Sequence, residues 1–592
     1  MNEPGAPVVF KGFPAAEGIA RGRVRTVDWH VPAVPRVAVP EGGRSRELER
    51  FRGALARART ELEGIKGETG SRLGPIEARI FDPQILMLDD PEVVLGTERY
   101  ISDNRLTAAR AFDWRMLELK DRWSRTSHPM VLDRLNDLED LKVRVLRRLL
   151  DLPDPWEIGG DAEPGGIVAV AKDLTPSFVA SLDASRVVGL ATDEGTRTSH
   201  WAILARSLEI PAAAGLGDIA ARAGDGQPII VDGWSGRVVI EPDAREVDRF
   251  ERRRATIRGW RRETPAIARE EAVTLDRKGV TLRANLDLPG EAARARALGA
   301  RGVGLFRTEF LVVGRNTVPR EEEQYLAYRS VAETFSSHPV LIRTFDLGGD
   351  KFPVFLRTPA EDNPFLGRRG VRVCPDEPEL FLTQFRAMLR AAVHGDLRIM
   401  APLVNTGAEI ATVRELLGMA ENQLRSEGVP FARAVEVGAM IETPAAALAA
   451  PGLAAHADFF SIGTNDLVQY TLAVDRTNTR LAHLYDPFHP AVLRQISMVA
   501  RAGRAAGVEV SACGEMATRP LGVLLLLGLG VEVLSVAWRS LPGIKRIVRN
   551  CRLDEIRAAA EVSLEAPTGA EARRSFAASL RPTLNRVFPP GA

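Results

Sequence analysis

From residue 280 onward the chain alternates short β-branched apolar runs with longer stretches of helical spacing, and it does so eight times. The short runs are Thr281–Asn285, Val303–Arg307, Val340–Asp346, Leu397–Leu403, Glu436–Glu442, Phe459–Gly463, Glu509–Cys513 and Glu532–Val536. Strands joined through helices run parallel, and eight such β-then-α units in order predict a closed TIM-like (β/α)8 barrel. No repeat or low-complexity tract competes with that reading.

A chain of 592 residues is several times the roughly 100 to 200 residues of one domain, and upstream of the barrel its texture differs. From Leu48 the apolar residues Phe51, Leu55, Ala58, Leu62 and Ile65 follow at steps of three and four, the signature of an amphipathic helix. Similar spacing recurs over Ile76–Leu88 and from Leu132 to Leu149, so residues 44–150 are predicted helical. After Pro153 and Pro155 come the strand-like runs Ile167–Ala171, Val187–Ala191 and Ile229–Val231, which mark a compact α/β domain. Val8–Arg25 is expected to complete an edge of its sheet, making the helical block an insertion. Arg245–Glu271 is rich in arginine, but Glu246, Asp248, Glu251 and Glu263 are interleaved, so a solvated linker helix is expected rather than a nucleic-acid patch. The expected divisions are 1–29 with 151–242, 30–150, 243–272 and 273–592.

Active sites of a (β/α)8 barrel gather where the strands end and the βα loops begin. Arg307 and Glu309, Arg343, Glu442, Asn465 with Asp466, and Cys513 all fall at such ends. Glu442 and Asp466 suit a hard divalent cation such as magnesium, which takes few protein oxygens and leaves room for water and phosphate. Arg307, Arg343 and Arg476 offer permanently charged planar forks for phosphate oxygens. Any one of these groups would ordinarily be a structural ion pair; matched groups at five strand ends describe an anionic, phosphate-bearing substrate. In the α/β domain, Gly195-Thr196-Arg197-Thr198-Ser199-His200 leads into an apolar helical stretch, placing His200 at a helix N-terminus. Free N–H groups there favour a phosphoryl group, and neutral imidazole is a competent nucleophile toward phosphorus.

Bulk properties narrow the setting. Lys plus Arg (79) nearly cancels Asp plus Glu (78), and the net charge of +1 gives no general pull toward nucleic acid or membrane. Cys374, Cys513 and Cys551 lie far apart, without disulfide or zinc spacing. Residues 1–10 lack the basic start and apolar core of a signal peptide, and the apolar run Leu521–Val531 is too short to span a bilayer, so it reads as a buried helix. A cytoplasmic protein is expected.

The ordered motifs Gly195–His200, Gly304-Leu305-Phe306-Arg307-Thr308-Glu309-Phe310, Arg343-Thr344-Phe345-Asp346, Asn363-Pro364-Phe365-Leu366-Gly367, Gly463-Thr464-Asn465-Asp466 and Cys513-Gly514-Glu515-Met516 resemble those of the enzyme I family of the phosphoenolpyruvate-dependent sugar phosphotransferase system. The likeness covers essentially the whole chain. It implies a multidomain α/β architecture: a phosphohistidine swivel domain, an inserted α-helical domain that binds the phosphocarrier HPr, and a C-terminal barrel that binds phosphoenolpyruvate and forms a homodimer. By the same resemblance His200 accepts the phosphoryl group, Glu442 and Asp466 bind Mg2+, and Arg307, Arg343, Asn465 and Arg476, joined by Arg369, grip the substrate. Cys513 exchanges a proton at the methylene of pyruvate, and hinge motion through Pro153–Pro164 and the 242–272 linker carries His200 between its partners. Thr196, Val179, Ala16-Glu17-Gly18 and Gln84 depart from the family pattern, Val179 at a residue whose hydroxyl orients the histidine and Gln84 at a position often held by histidine on the docking helices. Pyruvate phosphate dikinase and phosphoenolpyruvate synthase share the swivel domain and the barrel, but both need a large ATP-binding domain, and no such region or Gly-x-x-x-x-Gly-Lys-Ser/Thr loop occurs here. A non-catalytic regulatory paralogue would not be expected to keep His200 together with Arg307, Arg343, Glu442 and Asp466.

Overall fold

The structure is a computed structural model, and it describes residues 7–27, 31–35, 37, 39–72, 78, 81–124, 129–152, 166–183, 185–195, 199–312, 318–348, 361, 363–476, 481 and 484–587. The expected hinge at Pro153–Pro164 and residues Thr196 to Thr198 lie outside these. The chain divides into two compact units, Met1–Arg254 and Ala255–Ala592.

The first unit is built on one sheet. Its strands are β1 (Val8–Lys11), β2 (Phe13–Ala16), β3 (Ile19–Thr26), β4 (Ile167–Ala171), β5 (Val187–Thr192), β6 (Ala212–Ala214), β7 (Pro228–Asp232) and β8 (Arg237–Ile240), in the spatial order β1-β8-β7-β3-β4-β5-β6-β2. Neighbours from β3 to β6 are parallel, while β1, β2, β7 and β8 pair antiparallel. The N-terminal stretch does more than complete an edge: β1 and β2 form the two edges, and β3 lies inside the sheet between β7 and β4. Along β3, Ala20, Gly22 and Val24 turn inward while Arg21, Arg23 and Arg25 face solvent, so one face of the strand is buried and the other wet. Everything between β3 and β4 is therefore one long crossover. It carries the helices Arg44–Arg72, Asp82–Met87, Pro91–Asn104, Ala108–Ser124 and Pro129–Leu149, which bury Phe51, Leu55, Leu62, Phe112 and Leu141 in a common core. The arginine-rich stretch forms the helix Ala244–Arg269, with solvated i,i+4 pairing such as Arg252 with Asp248.

In the second unit β9 (Thr281–Leu286), β10 (Val303–Phe306), β11 (Val340–Arg343), β12 (Leu397–Ala401), β13 (Val437–Ile441), β14 (Phe459–Ile462), β15 (Glu509–Ala512) and β16 (Val533–Ala537) close into a parallel barrel, β16 pairing back onto β9. Each expected strand is present within a few residues. The apolar run beginning at Leu521 forms the buried helix Pro520–Gly528. Inside the barrel sit Leu305, Leu341, Met400, Met440, Phe459 and Cys513. Arg283 crosses the interior to make paired hydrogen bonds of 2.7 and 2.9 Å with Glu509. Two of these bulky groups fit because glycine faces them: a Cβ on Gly438 would lie 2.4 Å from the Phe459 ring, and one on Gly304 would lie 3.2 Å from Arg283 Cβ.

A methyl group at position 438 has nowhere to go, since the Phe459 ring is locked by its own packing. Gly438→Ala is expected to lower the stability of the barrel by about 1–3 kcal/mol, measured as a reduced urea midpoint at unchanged slope. An unchanged midpoint would show that the interior has slack.

Candidate active site

The mouth of the barrel is built around two buried arginines. Arg343, the last residue of β11, donates from Nη2 to Glu309 Oε1 at 2.8 Å and lies 3.0 Å through Nη1 from Asp346 Oδ2. Arg369 donates from Nε and Nη2 to the two oxygens of Asp346, each at 2.9 Å, from Nη2 to Asp466 Oδ2 at 2.9 Å, and from Nη1 to the Tyr470 hydroxyl at 3.1 Å. Burial disfavours the charge on Arg343, yet Glu309, Asp346 and Glu442 outweigh it and hold its pKa above the ordinary value. Both guanidiniums are thus fixed cations in a medium that screens little.

Glu442 follows β13 directly, and Asp466 lies in the first turn of the helix Thr464–Leu472 that follows β14. The side chain of Glu442 turns toward its neighbour strand's end, for a Cβ on Gly463 would lie 2.7 Å from Glu442 Oε2. Its Oε1 accepts the backbone N–H of Leu403 at 2.7 Å. Leu403 holds φ at +57°, a left-handed conformation that a branched side chain rarely takes, so backbone strain is spent on aiming that N–H. Burial, and then repulsion from Asp466 and Asp346, push the Glu442 carboxyl up to about 8. Asp466 moves the other way: burial would raise it, but Arg369 and Arg476 hold it down. Its Oδ1 is buried and accepts no hydrogen bond, with Arg476 Nη2 at 3.6 Å. Two neighbouring carboxylates, one pushed toward protonation and the other with a bare oxygen, fit a divalent cation. Among the described residues no third His, Cys, Asp or Glu completes a cluster around them.

The other expected residues fall on the same rim. Arg307, directly after β10, is partly exposed and ion-pairs with Asp287. Asn465 Oδ1 accepts the backbone N–H of Glu515 at 2.9 Å, tying the loop after β14 to the loop after β15. Cys513, directly after β15, is buried with Sγ 3.7 Å from the Ile462 carbonyl, and its backbone carbonyl accepts from Asn285 Nδ2 at 3.0 Å. Burial raises its pKa, so the thiol keeps its proton. In the first unit His200 opens the helix His200–Ser207, with Ser199 at its N-cap. Gly195, at φ +96°, lies where a Cβ would come 3.2 Å from the Trp201 indole nitrogen. Val179 is buried in an apolar setting. Gln84 is fully buried and donates to Asp137 at 3.2 Å and Asp140 at 3.0 Å, so it stands inside the helical block and not on a surface a partner meets.

Asp346 and Glu309 carry more of the site than sequence reasoning assigned them. Asp346 is the shared acceptor of both buried arginines, and Glu309 Oε1 also accepts the Asp346 N–H at 3.2 Å. A carboxylate three residues beyond an arginine at a strand end was the available signal.

Comparison with known proteins agrees with this geometry. Residues 261–553 match the family described as "PEP-utilising enzyme, PEP-binding domain", residues 163–236 the corresponding mobile domain and residues 11–134 the N-terminal domain. Fold and site thus define a phosphoenolpyruvate-utilising enzyme. Proteins named phosphoenolpyruvate-protein phosphotransferase are 40% identical over 532 residues in Geobacillus stearothermophilus (90% of this chain, 91% of that one), 38% over 527 residues in Staphylococcus carnosus (89% and 91%) and 37% over 562 residues in Listeria monocytogenes (95% and 97%). The chain belongs to the phosphoenolpyruvate-protein phosphotransferase family. Its reaction moves the phosphoryl group of phosphoenolpyruvate to a protein. Among the described residues no helix is long and apolar enough to cross a membrane.

The raised Glu442 carboxyl sets a pH dependence. Between an unfolded value near 4.5 and a folded value of about 8 the folded chain holds a proton that the unfolded chain has released, so this group's contribution to stability is complete below that window and is lost as pH rises through it. In metal-free protein, the stability of the parent relative to Glu442→Gln is expected to fall between pH 5.5 and 7.5 by up to about 1.4 kcal/mol per pH unit, read from urea unfolding with chelator present. A difference that is flat with pH would contradict the burial and repulsion assigned to Glu442.

Proposed function

We propose that Glu442 and Asp466 hold Mg2+ and that Arg307, Arg343, Asn465 and Arg476, with Arg369, bind phosphoenolpyruvate at the barrel mouth. The observation that supports this most directly is the bare, buried Asp466 Oδ1 beside the proton-seeking Glu442 carboxyl. Bound magnesium would supply a Lewis acid for the developing negative charge. In that reading the imidazole of His200 attacks phosphorus in line, the N–P bond forms as the bridging P–O bond breaks, and the electron pair leaves on the enolate oxygen of pyruvate. Fixed guanidiniums stabilise the charge spread over the phosphoryl oxygens without having to reorganise. Cys513, a buried thiol that keeps its proton, then protonates the methylene carbon to give pyruvate.

Residues 1–29 and 151–242 form the phosphohistidine domain in this proposal, 30–150 the HPr-docking domain, 243–272 the linker and 273–592 the barrel, through which the enzyme dimerises in the cytoplasm. Leu86, Leu95, Trp114 and Leu117 stand exposed on the helical insertion, as a docking surface for HPr requires. Since His200 and the arginine rim belong to separate units, it must meet the rim for the first transfer and leave it for the second.

Incubation with Mg2+ and phosphoenolpyruvate labelled in its phosphoryl group is expected to label the chain at an acid-labile, base-stable site, and His200→Ala is expected to carry no label. Undiminished label on that variant would overturn the assignment of the histidine.

A further inference from the structure

The helix Pro378–Ala391 turns an apolar stripe toward the barrel, with Leu380, Phe381, Phe385 and Met388 buried. In the middle of that stripe is an amide, Gln384, with no solvent exposure. A buried amide is costly unless each of its valences is met, and here they are. Oε1 accepts the backbone N–H of Phe345 at 3.1 Å, while Nε2 donates to Thr308 Oγ1 at 3.3 Å and to the Tyr328 hydroxyl at 3.2 Å. Thr308 Oγ1 in turn donates to the backbone carbonyl of Arg343 at 2.9 Å. The residues touched are not random core. Thr308 lies between Arg307 and Glu309, and Phe345 lies two residues past Arg343 and one before Asp346.

We infer that Gln384 is a positioning residue for phosphoryl transfer: its amide clamps the loops after β10 and β11 to each other and thereby sets where the Arg343 guanidinium meets the phosphoenolpyruvate phosphoryl group. This rests on the proposed role of Arg343. The clamp acts on backbone from outside the barrel, so Gln384 touches no substrate. Only an amide serves at this point. A carboxylate would lose both donors and add a negative charge behind Glu309, and an apolar side chain would leave the Phe345 N–H and the Thr308 hydroxyl without this partner. Misplacing a catalytic group by a fraction of an ångström affects the transition state more than substrate binding, so the expected defect is in kcat rather than KM.

The test compares Gln384→Met, Thr308→Val, Thr308→Ser and the double variant Gln384→Met/Thr308→Val in full-length enzyme with HPr, following pyruvate release and thermal midpoints. Gln384→Met and Thr308→Val are each expected to lower kcat about tenfold with KM for phosphoenolpyruvate within about threefold. Thr308→Ser, which keeps the hydroxyl, should restore turnover. The double variant should lose clearly less than the product of the two single losses, because both changes break the shared Gln384–Thr308 bond. A kcat for Gln384→Met within twofold of the parent, a loss that tracks KM, or losses that multiply in the double variant would overturn the proposal. Should Gln384→Met not fold, Gln384→Glu, which loses both amide donors, is measured in its place with the same expected loss in kcat. Arg343→Ala is the reference: full turnover in that variant would overturn the site reading itself, whereas its inactivity beside a fully active Gln384→Met would remove only the positioning role.

Discussion

Buried charge at the barrel mouth must be balanced, and most of the second unit's local structure follows from how it is. Glu309, Asp346, Glu442 and Asp466 are buried there against two buried guanidiniums, Arg343 and Arg369. Four negative charges and two positive ones leave a formal deficit of two positive charges when all are ionised. In an interior that screens poorly this is unfavourable, and without a cation the chain relieves it by drawing a proton onto Glu442. Arg307 and Arg476 stand nearer to solvent at the edge of this lattice, free of the twofold anchoring that Asp346 gives the inner pair. The inner arginines and their carboxylates form a rigid wall, and the deficit is the complement of a divalent metal.

The parallel barrel makes that lattice possible from residues scattered between Arg307 and Arg476, because every strand delivers its C-terminal end to the same rim. Precision comes from the layer behind. Leu403 accepts a strained backbone to aim one N–H at Glu442, Asn465 joins two loops, and Gln384 holds the two loops that carry Arg307, Glu309, Arg343 and Asp346. Small residues inside the barrel leave room for Phe459 and the Arg283–Glu509 pair, which fill the interior below the site.

The eight barrel strands were legible because burial imposes apolar runs, and the rim residues were legible because a polar group ending such a run has few other reasons to be there. Partners were not. Nothing in Arg369 itself told that its donors would close on Asp346, Asp466 and Tyr470, since a guanidinium fork suits carboxylate and phosphate equally. Gln384 escaped because a lone polar residue on an apolar helical stripe carries no periodic signal, and only its buried hydrogen bonds show what it holds. In the first unit the alternation Ala20, Gly22, Val24 against three arginines marked a half-solvated strand, but pairing order is a long-range property, so the interior place of β3 was not readable locally. Gln84 sits at a position read as part of a docking surface, and only burial against Asp137 and Asp140 shows that it faces inward.

The charge deficit around Glu442 and Asp466 is the proposed seat of the metal, and the arginines around it are the proposed receivers of the phosphate. The most direct measurement is the anomalous scattering of a crystal of the His200→Ala protein grown with Mn2+ and phosphoenolpyruvate. A single strong peak beside the Glu442 and Asp466 carboxylates is expected, with the phosphate oxygens on Arg307, Arg343 and Arg476. A peak at some other cluster, or phosphoenolpyruvate bound away from these arginines, would contradict that proposal.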